Sequence, residues 1–262
     1  MTAPPPRRNK VGRRLLLGAG IALILGGLVA VGLFVNTVWL SGNDTGAAQE
    51  QLAADFEQSQ AAASTSTTTT TAPIEDNPVI TAGTVPDEGD LPSTTTTTIP
   101  AAVAEEPPAQ GAPVGRILIP AIGVDWVIVE GVTLDDLAKG PGHMPGTPLP
   151  GQPGNAVISG HRTTHGAPFF RVNELSPGDR ITIETLIGTH VYEVAELHVV
   201  APNAIWVTGR AEGAWLTLTS CNPPYRSIER LVVFARLIYG PNLEAVEASL
   251  EGEPTPPQPP QG

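Results

Sequence analysis

Between Arg14 and Asp44 the chain carries no charged residue, and residues 15–35 are apolar or glycine without a break. This run of 21 residues limits what its surroundings can be. As a helix rising about 1.5 Å per residue it would cross a hydrocarbon core of roughly 30 Å. Arg7, Arg8, Lys10, Arg13 and Arg14 precede it, and acidic residues follow. That asymmetry places residues 1–14 in the cytoplasm and everything after the run outside. A cleaved signal peptide is the competing reading, but its apolar region is about 7–15 residues long and ends in an A-x-A-like site. Here the run is longer and leads into Asn36, Thr37, Val38, Trp39 and Leu40. The expectation is an uncleaved, single-pass anchor in the plasma membrane over residues 15–40, with Trp39 at the outer interface.

Residues 41–111 lack the apolar content for a core. Ser64 opens a nearly pure Thr/Ser tract, Thr94 opens a second Thr run, and Pro73, Pro78, Pro86, Pro92 and Pro100 punctuate the stretch. Such composition predicts an extended, disordered stalk open to glycosylation. Only residues 49–60 hint at a short helix, with Leu52 and Phe56 on one face. Residues 244–262, with Pro254, Pro256, Pro257, Pro259 and Pro260, read as a disordered tail. Stalk and tail together hold twelve of the 28 Pro in the 262 residues. They also hold most of the acidic excess behind the net charge of −12. An acidic chain is a poor partner for nucleic acid, whose phosphates are met by Lys and Arg. One cysteine excludes an intrachain disulfide and any zinc site built on two or more thiolates.

Residues 112–243 remain, enough for one buried core. Short β-branched and apolar runs lie at 116–119, 124–130, 156–159, 180–185, 190–200, 214–220 and 231–237, separated by Gly/Pro/Asn turns. The run at 190–200 could be one bent strand or two. Thr133 with Asp136 can cap a short helix ending near Gly140. Seven or eight strands with few helices predict an all-β domain, a closed barrel or a sandwich.

Cys221 ends the run at 214–220. It reads either as a small buried hydrophobe or as a nucleophile, which needs a base or a cation nearby. Among the five histidines His161 is best placed, directly after the strand 156–159 and Gly160. His143 lies in a Gly/Pro-rich loop, as a supporting group or a loop hydrogen bonder. His165, His190 and His198 have no distinctive context, and no histidine spacing favours a metal. Arg230 opens the last strand nine residues after Cys221. Two adjacent strands would bring both to one end, where a permanently charged planar donor suits an oxyanion. Arg226 is a rival in the same loop.

The segments V-I-S-G-H-R at 157–162, T-L-T-S-C-N-P at 217–223 and R-L-V-V at 230–233 resemble the His, Cys and Arg motifs of the sortases, cell-surface cysteine transpeptidases of Gram-positive bacteria. The segments at 115–123, 140–143 and 150–155 are similar to that family's first strand and its approach to the histidine. Arg162, Thr163 and Thr164 with Asn222 and Pro223 point to its class E type, and Ser220 departs from the threonine frequent there. The resemblance implies an eight-stranded sortase-like β-barrel with Cys221, His161 and Arg230 catalytic, and no cofactor. It implies cleavage between Thr and Gly of a C-terminal sorting motif (LAXTG/LPXTG-like) on secreted proteins. The acyl group would pass through a thioester on Cys221 to an amine of a peptidoglycan precursor or pilin. His143, Thr219 and Asn222 are candidates for holding substrate or supporting the site. A non-catalytic cell-surface barrel that only binds is the alternative. An L,D-transpeptidase fits poorly, because its His and Cys share one short stretch.

Overall fold

The computed structural model of the protein describes residues 10–66 and 101–259, with the side chains of residues 10–16, 34–43 and 66 outside that description. Three helices and eight strands are present: α1 (Lys10–Ser66), β1 (Pro113–Ile119), β2 (Val124–Glu130), α2 (Leu134–Leu137), β3 (Gly142–His143), β4 (Gly154–Ser159), β5 (Arg180–Thr185), β6 (Gly188–Val200), β7 (Ala214–Asn222), β8 (Glu229–Tyr239) and α3 (Leu243–Ala248). The strands close into a barrel in the order β1-β2-β3-β4-β7-β8-β6-β5. A closed barrel leaves no unpaired sheet edge.

Alternation along each strand divides the two faces. Ile117, Ile128, Ile158, Ile183, Leu218 and Val233 point inward and are buried in one core. The run at 190–200 forms a single strand, β6, which bends at a register shift between Val194 and Glu196. Thr133 caps α2 with the expected reciprocal box: its hydroxyl accepts from the Asp136 N–H, and the Asp136 carboxylate accepts from the Thr133 N–H. The strand not foreseen is β3. Its two residues, Gly142 and His143, sit inside what reads as a Gly/Pro loop, yet they join β2 in parallel to β4 in antiparallel fashion.

The extended stalk expected over 41–111 is corrected at both ends. Helix α1 continues to Ser66, and Leu52 and Phe56 are buried. Leu52 packs on Val127 and Val129, the outward side of β2. Gln49 ties the same helix to strand backbone: its Nε2 donates to Val127 O (3.0 Å) and Lys139 O (2.8 Å), and its Oε1 accepts from Val127 N (2.7 Å). Thr45 Oγ1 donates to Ala138 O at 2.9 Å. At the other end Val103 exchanges hydrogen bonds with the buried Asn242 side chain, so residues 101–112 strap the barrel. The disordered tail is corrected too. Val246 on α3 is buried, and Thr255 forms a β-bridge to Glu212. In each case apolar or amide groups too sparse to make a core of their own borrow one from the barrel.

Residues 67–100, the center of the expected stalk, lie outside the described residues, as do residues 1–9. Among the described residues no helix is long and apolar enough to cross a membrane. The expected span at 15–40 falls partly on side chains outside the description. The described ones, Leu23, Ile24, Leu28 and Leu33 among them, are exposed on α1.

Candidate active site

Strands β4 and β7 run parallel with Val157 opposite Thr217 and Ser159 opposite Thr219. The pairing continues past the end of β4, where Gly160 N donates to Thr219 O and Ser220 Oγ donates to Gly160 O, both at 3.0 Å. His161 follows Gly160, two residues past the end of β4, at the rim where β7 ends in Cys221 and Asn222. On the other side of β7, Cys221 is directly opposite Arg230 of β8. Neighboring strands lie about 4.8 Å apart. Cys221 and Arg230 therefore form a row at one rim of the barrel, and His161, just past the end of β4, lies at the same rim.

The row faces outward. Leu216 and Leu218 of β7 point into the core, so Thr219 and Cys221 alternate to the outside. Beneath the row a cavity of about 350 Å³ is floored by Ser159, Thr219 and Val232 and reaches Arg230. Met144 lines one side, and the segment 200–208 with the 3-10 turn Ile205–Thr208 lines the other. Val207 anchors that turn by packing on Trp215, Val232 and Phe234. The Ser159 and Thr219 hydroxyls bond each other at 2.8 Å, so the floor is apolar apart from this satisfied pair. A larger cavity of about 670 Å³ lies at the opposite ends of β4 and β7, lined by Gly154, Asn155, Arg210 and Gly213, remote from the thiol.

Cys221 is half-buried and unpaired. Arg230 Nη1 donates to Ser227 O (3.1 Å) and Glu229 O (3.0 Å). Among the described residues nothing takes up its Nε or Nη2, which leaves planar donors beside the thiol. Arg226 is exposed in the loop and outside the row. His161 is half-buried, and burial, with added repulsion from His165, holds its basicity below the usual imidazole range.

Of the supporting candidates, Thr219 lines the cavity. Asn222 does not; its Nδ2 donates to Glu229 Oε2 at 2.9 Å, joining the ends of β7 and β8. His143 is fully buried away from the row. Its Nδ1 meets Glu130 Oε2 at 2.7 Å, and its Nε2 meets Pro148 O at 3.0 Å and Thr147 Oγ1 at 3.1 Å. The Thr147 hydroxyl hydrogen goes to Met144 O at 2.8 Å, so Nε2 must be the donor to both oxygens. One proton is then shared between Nδ1 and the Glu130 carboxylate. His143 thus holds the loop that presents Met144, and does not face the cavity.

Two residues escaped the reading of the sequence. Arg162 is 3% exposed. Its Nε donates to Phe170 O (2.8 Å), Nη2 to Asn173 Oδ1 (2.7 Å), and Nη1 to the main-chain oxygen of Cys221 (3.1 Å). It clamps the strand end that carries the thiol. Burial lowers its basicity, and the charge of Cys221 works against that. The sequence marks it only as a motif residue after His161, with no role of its own. His165, the second, stacks on His161 with ring centroids 4.7 Å apart and planes 26° apart. Among the described residues no three His, Cys, Asp or Glu side chains gather as a metal-binding group.

The structure is thus a closed β-barrel that carries a thiol, an imidazole and a guanidinium at one rim beside a groove. Residues 117–238 match the family model of the sortase domain. The chain is 36% identical over 94 residues to Sortase SrtE1 of Streptomyces coelicolor, which covers 32% of this chain and 27% of that protein. It is 36% identical over 117 residues to Sortase D of Bacillus subtilis, covering 44% of this chain and 58% of that one. The chain thus spans about a quarter and somewhat over half of these two curated relatives. A solved structure of Sortase E1 from Streptomyces coelicolor, with a tripeptide in its active site, is 32% identical, with a TM-score of 0.47 over 50% of this chain and 92% of that one. Residues 117–238 are thus a sortase domain, with similarity to class E members of that family.

Proposed function

We propose that the chain is a membrane-anchored cysteine transpeptidase acting on C-terminal sorting motifs. The observation that carries this reading is the pairing of Cys221 with Arg230 at the barrel rim where the chain leaves β4 toward His161. The thiolate sulfur of Cys221 attacks the Thr carbonyl carbon of the motif. Arg230 donates to the oxyanion that forms, a kind of contact typically worth about 10²–10³ in rate. His161 gives its proton to the leaving glycine amine as the C–N bond breaks, which leaves a thioester on Cys221. An incoming amine loses its proton to His161 and attacks the thioester carbonyl, and the C–S bond breaks to restore the Cys221 thiolate. The same imidazole serves both halves, as microscopic reversibility requires. The groove beneath the row, walled by residues 200–208 and Met144, suits an extended peptide and falls in the usual range of ligand sites.

Incubating the full chain with LAXTG- or LPXTG-like peptides and an amine acceptor tests the proposal. The expected products are the free C-terminal fragment and the new amide, both lost in Cys221→Ala. A wild-type chain that binds these peptides without cleaving them would favor a non-catalytic binding barrel. For the anchor, the uncharged run at 15–35 and its five preceding cations support an N-terminus in the cytoplasm and the barrel outside. Protease added to intact cells should remove the barrel and spare an N-terminal tag. Digestion of the tag would reverse the orientation.

A further inference from the structure

A catalytic imidazole usually has its ring fixed by a hydrogen bond from its second nitrogen to a carboxylate or carbonyl. Among the described residues His161 has no such partner. Cys221 ends β7 at the same rim, Arg230 lies opposite Cys221 on β8, and Arg162 follows His161 in the chain. No carboxylate acts on it. Its one described ring contact is His165.

The segment after His161 is built to deliver that contact. It is pinned at both ends, since Phe169 N donates to His161 O at 3.1 Å and Arg162 Nε donates to Phe170 O. The Phe169 ring is fully buried and packs so closely on Gly160 that a Cβ there would lie 2.5 Å from it. Between the pins, His165 (φ 51°), Gly166 (φ 71°) and Ala167 (φ 48°) are all left-handed. For residues other than glycine that conformation costs about 1–2 kcal/mol each. Trp126 of β2 closes over the turn, and a Cβ on Gly166 would come within 2.3 Å of it. His165 Nδ1 is buried with no partner among the described residues. A histidine in an idle surface loop would turn that nitrogen to water. Here strain and an unmet polar atom are both tolerated at the residue whose ring covers the catalytic one.

We propose that His165 is a positioning residue for His161: its ring, held by the left-handed turn, fixes the plane of the His161 imidazole and shields it from water. The stack replaces the orienting carboxylate. It leaves the His161 imidazolium, once formed, a stronger acid toward the leaving amine, because neither water nor a carboxylate stabilizes its charge. This inference rests on the transpeptidase reading.

The test uses the full chain and two variants, His165→Ala, which removes the stack, and His165→Phe, which keeps a ring without a titrating group. His165→Ala should lower kcat about 10–100-fold, a cost typical of a misplaced reacting group, with KM for the peptide within about threefold. The acid limb of its kcat/KM profile should move to higher pH, and the His161 ring proton followed by NMR should titrate higher as well. His165→Phe should restore kcat to within about threefold of wild type, with the limb between the other two. Wild-type kcat and an unmoved His161 titration in His165→Ala overturn the proposal. So does equal loss in both variants. A wild-type chain that forms no acyl-enzyme defeats the transpeptidase reading instead, while the NMR titration still decides whether His165 acts on His161.

Discussion

Replacing Arg162 should damage both the fold and the chemistry, and the size of the effect follows from its contacts. The guanidinium is almost fully buried and serves three acceptors at 2.7–3.1 Å: Phe170 O, Asn173 Oδ1 and Cys221 O. A fourth, Asn222 Oδ1, is marginal at 3.4 Å. Arg162→Ala removes the partner of three part-buried acceptors, at about 1 kcal/mol each, and leaves the packed volume of a buried side chain empty. Relief from burying a charge offsets part of this. The net loss should be about 3–5 kcal/mol. Arg162→Lys keeps the charge, but one ammonium on a flexible stem cannot span Phe170, Asn173 and Cys221 together, and about 2 kcal/mol should go. Because Cys221 O is released in both, the strand end frays, and kcat/KM should fall at least tenfold even where Arg162→Lys is folded. Urea titration gives the stability change, and the rate of Cys221 alkylation reads the strand end without any substrate. Both variants within about 0.5 kcal/mol of wild type, with unaltered alkylation, would refute the clamp.

Three further outcomes are expected. Arg230→Lys should cost about 10²–10³ in the rate of peptide cleavage and Arg226→Lys little; the reverse order in steady-state assays would mean that the row contains the wrong arginine. Fully buried His190 resists protonation until about pH 4 in the fold, while the unfolded chain takes a proton near its ordinary 6.5. Stability is therefore full above that value and falls as pH drops toward 4; at pH 4.5 the loss is about 2.5 kcal/mol, and urea titrations at pH 7 and 4.5 should show this pH dependence shrink by that amount in His190→Leu. Gln49→Ala should loosen α1 from β2 at a cost of about 1–3 kcal/mol, visible as faster proteolysis within residues 45–66; unchanged cleavage would mean that the helix does not depend on this contact.

The barrel and the row were legible because their signals are local. Short apolar and β-branched runs between turns mark seven of the strands, and Cys221 and Arg230 each sit at a strand end where register alone sets them opposite. What stayed hidden depends on contacts distant in sequence or on backbone shapes the residues do not advertise. β3 is too short to alternate. Leu52 and Phe56 look stranded in a polar stretch until Val127 and Val129 turn out to face outward and need a cover. The strap at Val103 is held by Asn242, 139 positions away. His143 reads as a loop residue because its partner Glu130 ends a different strand. His165 reaches His161 only through left-handed conformations at a histidine and an alanine, which sequence argues against.

Mass spectrometry of the intact wild-type chain mixed with a sorting-motif peptide tests the central claim most directly, since Cys221 is the sole cysteine. The account predicts a mass increase equal to the peptide up to and including its Thr, with release of the fragment beginning at Gly. Hydroxylamine should remove that adduct, and Cys221→Ala should never form it. Cleavage between Thr and Gly by Cys221→Ala, or an adduct on any other residue, would contradict it.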